Sequence, residues 1–176
     1  MFRSQKSIIR VALAIGFIVI GAPVEAQARG PRAGAAPTFR PESFFLGHTE
    51  GTGLLKIVFG RRHSVRVHGY GRIAPDGTLI LDQNIEQAGK PLKHRRWVMR
   101  SVGGGRYTAT LSDATGPVVG EVQGNVMNLD FPANGGLRIR QTLVLAADGQ
   151  SAANRLAIYK FGIVVGQLNE VIKRVG

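Results

Sequence analysis

The chain has 176 residues, no cysteine, and 23 Lys+Arg against 11 Asp+Glu, a formal charge of +12. That length suits one domain, and the lack of cysteine excludes disulfides, thiolate catalysis, cysteine-ligated metal and a lipid-modified N-terminal cysteine. The charge speaks to anionic partners and solubility and leaves the fold open.

Arg3, Lys6 and Arg10 precede the uncharged apolar run Val11 to Ala22, and Pro23 ends it. Val24-Glu25-Ala26 then puts small residues where a signal peptidase reads, with Ala26-Gln27-Ala28 as a second site. The order predicts a cleavable signal peptide over residues 1–26 and a periplasmic or secreted product. The 13 residues between Arg10 and Val24 are too few to span a bilayer, which takes ~20. Cleavage after Ala26 leaves 20 basic and 10 acidic residues, a formal +10. Outside the cell's interior that charge has no nucleic acid to meet. Gln27 to Pro41, rich in Gly, Ala and Pro, reads as a flexible linker, and the folded domain is expected over residues 42–176.

From there short β-prone runs alternate with turn residues. Leu54 to Phe59 ends at Gly60, Ser64 to Ile73 at Pro75-Asp76-Gly77, and Thr78 to Gln87 at Ala88-Gly89. His94 to Val102 ends at three glycines. Arg106 to Leu111, Pro117 to Phe131 (one strand or two), Leu137 to Leu145 and Asn154 to Lys160 complete the series. Eight to ten antiparallel strands at this spacing predict a barrel or a sandwich. The last segment reads differently. Phe161, Val164, Val165, Leu168, Val171, Ile172 and Val175 form one apolar stripe at helical period, which predicts a C-terminal amphipathic helix. It would pack on the sheet or, with Lys173 and Arg174, lie on a membrane surface.

Motifs for chemistry are few. Gly69-Tyr70-Gly71-Arg72-Ile73-Ala74 has the spelling of a dinucleotide loop, but a turn and a strand follow it where a helix is needed. His48, His63, His68 and His94 lack the spacing of a metal site, and there is no nucleophile elbow. No catalytic residue, metal or cofactor is therefore assigned, and an enzyme is not the leading expectation. Between Glu86 and Asp113 no acid occurs, while Lys90, Lys93, Arg95, Arg96, Arg100 and Arg106 do, beside Trp97 and Tyr107. That run is either a solvated basic face on an edge strand or a surface for anionic polymers or lipid headgroups.

Strand parity refines the picture. If apolar faces point inward, the interior holds Leu79, Leu81 and Ile85, then Trp97 and Met99, then Ile139 and Leu143, then Leu156 and Ile158. The polar exceptions are Gln83, Arg95, Gln141, Asn154 and Lys160. Buried polar groups need partners, solvent or a ligand, so Arg95, Trp97, Lys160, Asn154, Gln83 and Gln141 are the candidate ligand-binding residues.

Several stretches together resemble a bacterial family known as domain of unknown function 3833, over roughly Phe44 to Lys173. They are Phe45 to Gly53 (FLGHTEGTG), Phe59-Gly60-Arg61-Arg62, Gly77 to Asp82 (GTLILD), Arg95-Arg96-Trp97, Gly124-Asn125 and Asn154 to Gly162 (NRLAIYKFG). The resemblance implies a calycin-like, that is lipocalin-like, closed antiparallel barrel with a C-terminal helix and no established activity. The family pattern tends to place an acid where Gln83 stands and Asp-Trp where Gln141-Thr142 stand, and many members look like lipoproteins. With amides there, Arg95 is expected to be an interior cation open to an anionic, lipid-like ligand. The leading expectation is an envelope protein that binds a hydrophobic or anionic lipid-like molecule inside the barrel. The alternative is a surface binder of anionic envelope polymers or headgroups. Neither speaks to oligomeric state.

Overall fold

The computed structural model describes residues 37–175. The predicted signal peptide and the first part of the linker lie outside them. A single helical turn, α1 (Pro41–Phe44), is followed by ten strands: β1 (Gly47–Ile57), β2 (Arg62–Ile73), β3 (Leu79–Gln87), β4 (Lys93–Gly103), β5 (Arg106–Leu111), β6 (Val118–Gln123), β7 (Val126–Ala133), β8 (Leu137–Leu145), β9 (Ser151–Lys160) and β10 (Ile163–Val175). Each pairs antiparallel with the next, and β1 pairs with β10 from His48↔Val175 to Ile57↔Gly166, which closes the barrel. Closure leaves no unpaired sheet edge to protect. The fold is all-β and lipocalin-like.

Alternation decides which residues fill it. Leu79 and Leu81 of β3, Trp97 and Met99 of β4, Met127, Leu129 and Phe131 of β7, and Ile139, Leu143 and Leu145 of β8 form one buried cluster. On β3, β4 and β8 these are the faces that parity assigned to the interior; β7 adds its own. The rest of the core comes from ahead of β1. Phe39 is 1% exposed, and its N–H donates to the Gly124 carbonyl at 2.8 Å. Its ring stacks with Phe44 and Phe45 at 5.4 and 6.4 Å between centroids. The packed body therefore reaches back into the segment read as linker. Pro41 opens α1 with its missing N–H at a position that needs none. The Tyr107 hydroxyl donates to Glu42 Oε2 at 3.2 Å and ties α1 to β5. Together these residues plug one end of the barrel.

The C-terminal segment corrects the sequence reading. It is a strand, β10, paired from Ile163↔Lys160 to Lys173↔Ser151 with β9 and along its other edge with β1. Its apolar spacing imitates a helix because a bulge between Val164 and Gly166 shifts the alternation by one residue and because Val171 and Val175, though apolar, are exposed on the outer face. Six of its thirteen residues are Val or Ile (IVVGQLNEVIKRV), stiff side chains that suit a pleated surface. The hairpin turn is Phe161-Gly162, both at positive φ (51° and 79°). That geometry matches the right-handed twist of flanking strands.

Candidate functional site

The barrel encloses a cavity of about 560 Å³. Its floor is Phe45, Leu79, Met99 and Ile172, all buried against the α1 plug. At the other end its lining reaches Lys93, Ser112 and Asn134, which are exposed, so the cavity opens there. The walls are mostly Leu, Ile, Val, Met and aromatic side chains, with two polar groupings set into them.

The first stands near the mouth. Arg95 Nε donates to Asp113 Oδ2 at 2.7 Å, and Lys93 Nζ lies 2.8 Å from the same oxygen. Burial acts to raise the Asp113 carboxyl, but Lys93 and Arg95 outweigh it and hold the group below the usual carboxylate range. Arg95 is thus not the unpartnered cation that the sequence implied. Asp113 lies 18 positions along the chain, on the connection after β5, where no strand-parity argument reaches. Two cations nevertheless share one carboxylate, so this end of the lumen keeps an excess of positive charge.

The second lies deeper. Asn154 Nδ2 donates to Glu170 Oε2 at 2.7 Å, and the two residues are 3% and 7% exposed. Asn154 Oδ1 and Glu170 Oε1 are buried and receive no hydrogen bond from the protein. Burial pushes the Glu170 carboxyl up, against the Asn154 amide and the Arg95 charge, which pull it down. Space for the carboxyl is made by Gly51, where a Cβ would run into Glu170 Oε1. Elsewhere on the lumen wall, Trp97 Nε1 donates to Gln83 Oε1 at 3.0 Å, and the indole meets Phe131 edge-on at 5.7 Å.

Of the six residues singled out from sequence, Gln83, Arg95, Trp97, Gln141 and Asn154 line the cavity. Lys160 does not. It has the inward parity, but it is the last residue of β9, exposed at the rim, with Nζ 5.7 Å from the Phe161 ring centroid. Glu170 was missed because a helix over 161–175 puts it on the polar face opposite the apolar stripe. Read with period two, Gly166, Leu168, Glu170 and Ile172 share one face, which is the signal that would have found it.

The outward basic side of β4 is also less bare than the sequence implied. Arg96 Nη2 donates to Asp82 at 3.0 Å, Arg72 Nη1 to the same carboxylate at 2.9 Å, and Arg100 pairs with Asp76. The acids missing from the run 87–112 come from β3 and the turn before it, across the ladder.

Comparison with known proteins agrees with this architecture. The profile of a family described as "Protein of unknown function (DUF3833)" matches residues 26–174. The chain belongs to the DUF3833 family. No curated protein matches it. Among solved structures, this DUF3833 member is similar to the S-type phycobiliprotein lyase CPES of Guillardia theta, with TM-score 0.62 and 7% identity over 77% of this chain and 90% of that one. It is similar to Rv2717c of M. tuberculosis, with TM-score 0.58 and 18% identity over 78% and 99%. A DUF3598-family protein of unknown function from Nostoc punctiforme gives 0.62 and 13%, covering 84% of this chain and 53% of its own. At these identities the likeness is one of fold.

Proposed function

We propose that this DUF3833 protein binds a single amphipathic, lipid-like molecule inside the barrel, acting in the bacterial envelope. The observation that carries the reading is an apolar lumen of about 560 Å³ with polar groups at two depths. Ligand pockets usually combine such a volume and lining with a few placed polar atoms. Asn154 Oδ1 accepts a hydrogen bond from a ligand hydroxyl or acid, and the Glu170 carboxyl, pushed up by burial, stands beside it. The excess positive charge shared by Lys93 and Arg95 favours an acidic head over a basic one. The predicted signal peptide supports a place outside the cytoplasm, where such amphiphiles form membranes. That a phycobiliprotein lyase has the same fold agrees with a barrel used to handle small molecules.

The test is extraction from vesicles of mixed zwitterionic and acidic lipids. Wild type should remove a fatty acid or acidic lipid in preference to a neutral one, and Arg95→Ala should lose that preference by roughly tenfold, a charge-assisted contact of ~1.5 kcal/mol. Equal yields and equal selectivity from the two proteins would sink the proposal. The second reading, a surface binder of anionic envelope polymers or lipid headgroups through the basic face of β4, is weakened by the acids already paired with Arg72, Arg96 and Arg100.

A further inference from the structure

Among the described residues, two that are not glycine have positive φ: Phe59 at 61° and Phe161 at 51°. Left-handed backbone is unfavourable for a bulky side chain. Both are also the tips of hairpins and the most exposed large apolar side chains, at 107% and 90%. They belong to adjacent hairpins at one end of the barrel although about a hundred residues apart in sequence. β1 and β10 are paired up to Ile57↔Gly166, and the Val58 N–H donates to the Val165 carbonyl at 2.9 Å beyond that pair. Neither strain nor exposure of a phenylalanine serves the barrel's own stability, and such outliers point to function.

Their surroundings indicate the partner. Val58 and Ile163 are exposed beside them, and Leu92 is exposed on the β3–β4 connection at the same end of the barrel. Lys56, Arg61, Arg62, Lys90 and Lys160 stand around these apolar tips, all exposed, and none is paired with a described acid. This is also the end at which the cavity opens. Apolar tips ringed by cations match the two layers of an anionic bilayer surface: acyl chains below, negative headgroups above. We infer that the barrel docks mouth-down on an anionic membrane, with Phe59 and Phe161 inserted between lipids and Lys56, Arg61, Arg62 and Lys160 against the headgroups. The inference is independent of the lumen reading, since docking requires no ligand inside. If both hold, the mouth faces the pool from which a lipid-like molecule comes.

The experiment is co-sedimentation of the purified protein with vesicles of phosphatidylglycerol and phosphatidylethanolamine, and with vesicles of phosphatidylcholine alone. Phe59→Asn/Phe161→Asn should keep the fold, because Asn accepts left-handed backbone, and should bind the anionic vesicles at least about tenfold more weakly, as expected for two apolar anchors. Val119→Asn, at an exposed apolar site on the barrel wall, should bind as wild type does. Binding should also weaken steeply between about 50 and 200 mM salt and be small on phosphatidylcholine. Double-variant binding within twofold of wild type, or equal wild-type binding to both vesicle types, overturns the proposal. So does a wild-type dimer that the double variant abolishes, which would assign the patch to self-association.

Discussion

At the scale of single residues, the lumen is organised by Glu170. Its folded-state pKa is raised by burial, so in the pH range between the unfolded and folded values the native state binds more of this proton than the unfolded chain does. The stability this group contributes is full below an ordinary glutamate pKa of about 4.3 and is lost as pH rises through the folded value. Glu170→Gln keeps an acceptor for Asn154 without that loss. Its melting temperature should exceed wild type by a few degrees at neutral and alkaline pH and converge with it in acid, since about 1 kcal/mol shifts a domain of this size by ~2–6 °C. Parallel pH profiles would show that Glu170 is not proton-coupled. Gly51 belongs to the same site. Gly51→Ala puts a methyl into the carboxylate and should lower stability by roughly 1–3 kcal/mol in denaturant unfolding, as overpacking does. Combined with a smaller residue at 170, most of that loss should return. Arg95, Trp97, Gln83, Gln141 and Asn154 were legible because each sits on a strand with clean alternation. Asp113 was not, because it lies on a connection whose path is set by closure of the barrel.

At the scale of elements, the last strand carries the lesson. A stripe at i, i+3, i+4 and i+7 is imitated in this strand by one bulge at Val164–Gly166 together with two outward-facing valines, Val171 and Val175. The stronger local evidence was the six Val and Ile residues and a two-residue turn with glycine in second place. The opposing accounts give opposite signs for one substitution. In the hairpin, Phe161 at φ 51° is strained, and Phe161→Gly should raise stability by about 1 kcal/mol. At the start of a helix the same change should lower it by about the same amount. Thermal unfolding of this variant decides the sign. The α1 plug was hidden for another reason: Phe39 lies in a Gly-, Ala- and Pro-rich stretch whose composition reads as linker, yet its ring packs into the end of the barrel that α1 closes. Burial, with the charge and hydrogen bond of Glu42 adding to it, pushes the Tyr107 hydroxyl up to about 12. This hydroxyl should therefore ionise late in an alkaline absorbance titration, a late phase that Tyr107→Phe removes and Glu42→Gln moves to lower pH.

At the scale of the whole molecule, the barrel is asymmetric. One end is sealed by aromatic rings, and the other combines an open lumen, cationic side chains and two projecting phenylalanines. The family pattern and the regular strand spacing made the barrel readable from sequence. Which end is open was not readable, because it depends on where α1 folds back. The central claim is that the lumen is a binding site rather than a filled core. Native mass spectrometry of the protein purified from the cells that produce it is the sharpest test. One amphiphile per chain should be bound, and lost when Leu156→Trp fills the lumen beside Asn154. A spectrum free of ligand from every preparation, or an adduct that survives Leu156→Trp undiminished, would contradict it.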